Sequence, residues 1–432
     1  MIGSGDGGPG GASGPNVDPW RALDAPDATP VSADALAQEQ LGRYAADDVR
    51  RSAALTGWLV RRAAADGSTT LDGVTWAAAL RGYDIDSPRP GLDAAAAAGR
   101  VVALPSERAL AHPQWGPLEE QLADDVHAIV ASGGPDTTPA DPVDAALAMP
   151  LCTVTAGRGS GSDDWARRLR KLADAAGRPM TIVNDAHRLG LAAAAEILEN
   201  HDADASLVLI GDPDELEPAE PGRFFGDLVA SGVVPTVRLP VDVGPSTGEV
   251  ATGDGAAGAE ATGEAATGAE DAPIIRLIES LRTGELRPVE PRQHAVVVSP
   301  VADAAQAVAR TRELVTDALP HVLGVGPSDV VVLGIRSAGT AGVDALREAV
   351  GGDSDVEVAA VHDAVGRRAE AVVLVLPAES AGSLTRAHLI SAASMAGRHL
   401  SIVHQAGPAL AAAVRLRPHR PRHTRLARLL QA

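Results

Sequence analysis

The chain has 432 residues, enough for two to four domains with sizeable cores, and a formal charge of −20 at pH 7. That balance sets whole-molecule electrostatics against nucleic acid, so any such contact must use a local basic patch. A single cysteine, Cys152, excludes an internal disulfide framework and a cysteine-based zinc site; its place in an apolar run makes it a buried small hydrophobe. No apolar run approaches the roughly 18 residues of a membrane span, and Met1–Gly14 has neither the basic start nor the apolar centre of a signal peptide. The expectation is a soluble, cytoplasmic protein with no membrane partner.

Residues 1–33 are rich in Gly, Pro, Asp and Ala and read as a disordered N-terminus. Residues 34–132 read as a helical domain, with helical apolar spacing in Asp48–Ala64 and Pro117–Val130. Between these, Thr69–Leu71 and Gly99–Leu104 are short strands flanking two short helices, Val74–Arg81 and Gly91–Ala98, a winged-helix-like pattern ending in a strand pair. The second of those helices is nearly all Ala and Gly, a poor DNA-reading surface, so packing against protein suits it at least as well. Residues 133–147 form a Pro/Asp-rich linker.

From 148 to 242 apolar strand runs alternate with helices. The strands are Leu151–Thr155, Met180–Val183, Leu207–Ile210 and Val234–Leu239; the helices are Trp165–Ala176, Leu191–Glu199 and Arg223–Ala230. This alternation predicts a parallel sheet with any ligand at the strand C-termini. Residues 243–273 are an acidic low-complexity insert of Gly, Ala, Thr and Glu. A second β/α block, 274–432, follows, with strands at Ala295–Ser299, Val330–Leu333, Val356–Val361, Ala371–Val375 and Leu400–Val403. It ends in a basic tail, Arg415 to Arg428, with six arginines (Arg415, Arg417, Arg420, Arg422, Arg425, Arg428), two histidines and no acid. That tail is either a nucleic-acid contact or a solvated counterweight to the acidic body.

Ala156–Asp163, between a strand and a helix, has the context of a P-loop, G-x-x-x-x-G-K-[ST], whose amides cradle phosphates while its lysine meets the β/γ oxygens. Gly157, Gly159, Ser160 and Gly161 are the candidate cradle, but Ser162 stands in the lysine position and Asp163 in that of the magnesium-binding hydroxyl. The one lysine of the chain, Lys171, lies on the following helix, out of place. The loop is therefore read either as a Gly-rich turn without ligand or as a weak nucleotide or anion site; Arg158, inside the loop, either points to solvent or meets a phosphate as a partial substitute for the lysine. Asn184 and Asp185 read as a polar strand end capping the next helix, and Asp212 and Asp214 as makers of turn and cap hydrogen bonds. His187 reads as a surface or satisfied histidine, His362 as packed at a strand end, and Trp165 as core.

Together these segments resemble RecD-type superfamily 1B DNA helicases over roughly residues 67–432. Leu207–Leu216, which contains Gly211-Asp212-Pro213-Asp214-Glu215, looks like the family's strand-G-D-P-D-Q-L. It is trailed by Pro221-Gly222 and by Asp227-Leu228 before Ser231-Gly232, as in P-G-x-x-x-x-D-L-x-x-S-G. Thr181–Arg188 looks like the Walker B strand, Val361–Gly366 like V-H-K-S-Q-G, and Leu389–Arg398 like the motif VI helix. The resemblance implies an α/β fold of two RecA-like, P-loop-type domains with parallel sheets, preceded by the winged-helix-like domain. It also implies ATP, Mg²⁺ and DNA as the family's ligands.

The departures fall on the chemistry. Beyond Ser162 and Asp163, Asn184 replaces the metal-side Asp and Asp185 the longer Glu. Glu215 replaces the γ-phosphate-sensing Gln, Met395 the motif VI arginine, and Asp363 and Val365 the Lys and Gln of V-H-K-S-Q-G. Loss of one arginine finger alone costs ~10³–10⁵ in rate. Motif Ia, the inserted small β-barrel and the F-R-Q of motif IV are also missing. The expectation is a pseudoenzyme: a RecD-like helicase homologue with no active catalytic residue, no metal site and no cofactor, holding ATP/Mg²⁺ only if the degenerate Walker A loop still binds it. Its expected partners are DNA, through the basic tail, and possible protein partners such as another helicase or a DNA repair protein. The alternatives are an active ATP-dependent DNA helicase, as the family implies, and a protein-interaction module that binds neither nucleotide nor DNA.

Overall fold

The structure, a computed structural model, describes residues 18–133, 139–241, 263–287, 294–351 and 355–432. The chain divides into two compact units, the first taking in residues up to Leu122 together with Glu220–Gly222 and Arg422–Leu429.

In the first unit a short 3₁₀ turn, Pro19–Asp24, precedes α1 (Pro30–Leu41) and α2 (Val49–Ala65). β1 (Thr70–Asp72), α3 (Gly73–Arg81), α4 (Arg89–Ala97), β2 (Val102–Leu104) and β3 (Ala109–Ala111) follow, and α5 (Trp115–Ala131) begins here. The helix starts are written in the sequence: Thr29 and Ser32 form a reciprocal capping box, and Asp72 accepts the Thr75 amide. Gly91 lets α4 approach α2 closely, because a Cβ there would sit 2.0 Å from Ser52 Oγ. Two expectations are corrected. Residues 18–33 are not disordered: Trp20 and Leu23 are fully buried in a core with Leu55, Leu80 and Ile85, because the Gly-rich bias that suggested disorder ends before them. The two expected strands do not pair with each other; both pair antiparallel with β3, in the order β1-β3-β2. Residues 422–429 complete this unit, the His423 carbonyl accepting the amides of Thr69 (2.9 Å) and Thr70 (3.2 Å).

The second unit holds two parallel sheets. The first half contains α6 (Pro142–Ala148), β4 (Leu151–Thr155), α7 (Ser162–Ala175), β5 (Met180–Val183), α8 (Leu191–Glu199), β6 (Ser206–Gly211), α9 (Phe224–Ser231) and β7 (Thr236–Arg238). Its strand order is β5-β6-β4-β7. The second half opens with α10 (Gly263–Arg282), followed by β8 (Val296–Pro300), α11 (Ala304–Glu313), α12 (Leu319–Leu323), β9 (Val330–Gly334) and α13 (Val343–Val350). β10 (Glu357–Ala360), α14 (Val361–Ala364), β11 (Ala369–Leu376), α15 (Arg386–Met395), β12 (Ala396–His404) and α16 (Pro408–Leu416) complete this half, with strand order β10-β9-β11-β12-β8; α17 (Leu426–Leu430) belongs, but for its last residue, to the first unit. Strand periodicity splits β11 between two cores: Val372, Leu374 and Leu376 face the α10/α15/α16 side, while Ala371, Val373 and Val375 face α11 and α13. Both faces are covered, which is why the strand reads as one apolar run.

Two further expectations change. The linker 133–147 is in part α6, capped by Asp141 and burying Ala145 and Ala146. The insert 243–273 is helical from Gly263 on, through Pro273, because the apolar repeat beyond the proline anchors the helix; residues 243–262 lie outside the described residues. Among the described residues no helix is long and apolar enough to cross a membrane.

Candidate functional site

The loop between β4 and α7 lies at the C-terminal end of a buried central strand. Gly159 (φ +84°) and Gly161 (φ +64°) take left-handed conformations that a side chain resists, and the Ser160 amide bonds back to the Gly157 carbonyl at 3.1 Å. Ser162 is the first residue of α7, half-buried; Asp163, also in the first turn, is exposed, well placed for the helix dipole and badly for a phosphate. Gly161 caps α7 without a side chain.

Arg158 corrects its expectation. It is 8% exposed, and its guanidinium donates to the carbonyls of Ser394 and Gly397, each at 3.0 Å. Those acceptors lie at the C-terminal end of α15 and the start of β12, where unpaired carbonyls attract a cation.

The residue that sequence reasoning missed is Arg282, in the last turn of α10. Its Nη1 donates to Asp212 Oδ1 at 3.0 Å and to Asp214 Oδ2 at 2.5 Å, its Nη2 meets Asp212 Oδ2, and its Nε lies 3.0 Å from Glu279 Oε1. The same guanidinium covers Gly157, where a Cβ would fall 2.2 Å from Nη2. Two residues further along the loop, a Cβ on Gly159 would meet Ile275 Cδ1 at 2.9 Å. A single helix therefore lays an aliphatic and a cationic side chain on the two glycines that would approach phosphate. The available signal was the repeat Ile274, Leu277, Ile278, Leu281, all buried. Burial opposes the charge on Arg282, but Asp212, Asp214 and Glu279 outweigh it and hold its pKa above the ordinary arginine value.

Asp212 makes the expected turn bond, its Oδ1 accepting the Asp214 amide at 3.0 Å, and is 2% exposed. Its own amide donates to His187 Nδ1 at 3.2 Å, which leaves the proton of the neutral imidazole on Nε2. His187 Nε2 faces Glu215 Oε2 at 3.7 Å. Burial lowers the His187 pKa against the pull of Asp212 and Asp185. Burial, then the charges of Asp212 and Asp185, raises Glu215 to about 8. At neutral pH this is a contact between a neutral histidine and a protonated carboxyl, not an ion pair.

Asn184 and Asp185 are exposed at the end of β5. Asp185 is a non-glycine residue at φ +52° in the N-cap position of the short turn Ala186–Arg188, but its side chain makes no cap bond, which corrects the capping expectation: the left-handed backbone fixes the turn instead. Met395 is buried in the core of the second half. His362 is exposed rather than packed at the strand end, because it lies in the short α14, which buries Val361 and Ala364 instead; its ring meets His388 edge-on at 5.2 Å. Trp165 is half-buried against the first-half core.

The basic segment is not a solvated tail. Arg422 Nη1 donates to the carbonyls of Glu220 (2.9 Å) and Gly222 (2.7 Å). Arg425 is buried on Glu107 (2.9 Å) and Glu120 (2.8 Å), Arg428 pairs with Glu107, and Arg417 donates to the Gly382 carbonyl at 2.9 Å. Arg415 and Arg420 are exposed. Among the described residues, no group of three or more His, Cys, Asp or Glu is arranged to hold a metal ion.

The fold class is mixed α/β, with two parallel sheets consistent with paired RecA-like domains. No family model matches the chain, and no curated protein matches it. Among solved structures it is similar to an arterivirus helicase, nonstructural protein 10, with a TM-score of 0.28 and 14% identity, over 66% of this chain and 56% of that one. The chain thus spans little more than half the length of that protein.

Proposed function

We propose that this protein is a RecD-like helicase homologue without an ATP cycle, acting as a non-catalytic, DNA-associated or accessory scaffold in DNA replication, repair or recombination. The observation that carries the reading is what faces Gly157: an arginine already bound by Asp212 and Asp214. Nucleotide phosphates would have to enter beside Asp212, Asp214 and Glu279, with Asp185 close enough to act on Glu215 and a single Arg282 against them. At an effective dielectric near 20, two like charges about 4 Å apart repel by about 4 kcal/mol, so this cleft disfavours ATP. The family's lysine and arginine, which would reverse that sign, are Ser162 and Met395. Contact with the DNA backbone falls first to Arg415, which is exposed, since Arg417, Arg422, Arg425 and Arg428 are engaged within the protein.

A second reading, weak anion binding at the loop, is favoured by one observation: Ser160 Oγ is buried and makes no hydrogen bond. The test for both is calorimetry with ATP/Mg²⁺ and with inorganic phosphate, and ATP turnover with and without single-stranded DNA. Absence of heat and turnover is the expected result. Phosphate binding without turnover favours the second reading. DNA-stimulated turnover that survives Ser162→Ala overturns the proposal.

A further inference from the structure

We infer that α10 is the resident occupant of the loop cleft and that, with Arg158, it clasps the two sheet-bearing halves of the second unit in one closed arrangement that needs no nucleotide. The inference deepens the reading above and rests on it in one respect, that the cleft is not opened and closed by an ATP cycle.

The clasp is reciprocal. Arg158 leaves the first half and ends on the Ser394 and Gly397 carbonyls of the second. Arg282 leaves the second half and ends on Asp212 and Asp214 of the first. Between them the Leu216 amide donates to Ser391 Oγ at 2.8 Å, a bond buried on both sides. Leu216 itself, from the segment after β6, lies in the core of the second half with Ile274, Leu277, Ile278 and Leu281. On the loop, Ile275 and Arg282 fill the space above Gly159 and Gly157. Charged hydrogen bonds of this kind are lost together if the halves part, because each guanidinium and its acceptors sit on opposite halves. Motor proteins of this general architecture close on a bound nucleotide whose phosphates bridge two domains. Here the bridging groups are two guanidiniums carried by the chain, so closure is part of folding.

The test uses the full-length protein labelled at two engineered cysteines, Lys171→Cys on α7 and Arg312→Cys on α11, both exposed. The native Cys152 is silent to thiol labels, since it is fully buried and burial pushes its thiol up to about 12. Spin-label distance measurements should give one narrow distribution, the same with and without ATP/Mg²⁺. The double variant Arg158→Ala/Arg282→Ala should broaden or lengthen it. Should that variant not fold, Arg282→Lys keeps the charge but loses the two-pronged fork, and it should raise amide exchange at residues 157–161 by tenfold or more. A wild-type distribution that is broad without nucleotide and narrows with it overturns the clasp, as does a folded double variant that matches wild type. Calorimetry separates the two ideas: ATP binding with an unchanged narrow distance leaves the clasp standing and sinks the nucleotide-free reading, whereas a broad distance without ATP binding does the reverse.

Discussion

Arg282 and Asp212 meet through both terminal guanidinium nitrogens and both carboxylate oxygens, 70 residues apart in sequence, directly over Gly157. Asp212 is almost wholly buried, so Arg282→Ala should leave a lone carboxylate in the cleft. The expected loss of stability is about 3–5 kcal/mol. Asp214→Asn, at a side chain 35% exposed, should cost about 1 kcal/mol or less. Urea denaturation of the two variants checks the order; equal costs would mean that the pair carries no special weight.

The loop glycines make a graded series. Gly161→Ala meets open space and should cost only its left-handed backbone, about 1–2 kcal/mol. Gly159→Ala adds contact with Ile275, and Gly157→Ala drives a methyl into Arg282, so each should exceed the first; overpacking typically adds about 1–3 kcal/mol. If Gly157→Ala is the mildest of the three in thermal melts, Arg282 does not rest on the loop.

Glu215 sets a pH dependence with a definite sign. Its folded pKa, raised to about 8, exceeds the ordinary value of 4.5 that the unfolded chain would show. Between those values the folded state keeps a proton that the unfolded state has lost. Its contribution is therefore fully present below the unfolded value and lost as pH rises toward 8, with a limiting slope of about 1.4 kcal/mol per pH unit. His187, with a lowered pKa, works oppositely and only below its ordinary value of 6.5. Glu215→Gln should flatten the decline of stability between pH 6.5 and 8, as read from urea midpoints across that range. An unchanged profile would remove Glu215 as its source.

Arg425 offers a control in the first unit. Its guanidinium is 6% exposed on Glu107, and its amide donates to Glu119, which is fully buried. Arg425→Ala should destabilise the first unit by about 3–5 kcal/mol. Amide exchange at Thr69 and Thr70, whose amides bond to the His423 carbonyl, should rise with it. Protection unchanged at both positions would show that residues 422–429 are not needed there.

Much of the second unit is legible locally. β4, β5 and α8 occupy the runs Leu151–Thr155, Met180–Val183 and Leu191–Glu199 because buried parallel strands and amphipathic helices write their periods directly into the chain. α10 is not legible in the same way. Its first half has the Gly/Ala/Thr/Glu composition of a linker, and Pro273, inside the helix, reads as a break. The substitutions at Ser162, Asp163 and Met395 can be read one residue at a time, but the partners of Arg158 and Arg282 cannot. A loop arginine looks the same in sequence whether it faces water or, as here, two carbonyls 236 and 239 residues away.

The return of residues 422–429 to the first unit has a consequence for biosynthesis. Thr69, Thr70, Glu107 and Glu119 emerge from the ribosome some three hundred residues before His423 and Arg425, with sequence separations of 353 and 354 for the His423 contacts and 306 and 318 for those of Arg425. Contacts so distant in sequence form slowly, and domains that fold during translation do so from their N-terminal side. The first unit is thus finished only some three hundred residues after these partners have been made. Until residue 426 has been translated, buried Glu119 lacks the two backbone amides that donate to its Oε1.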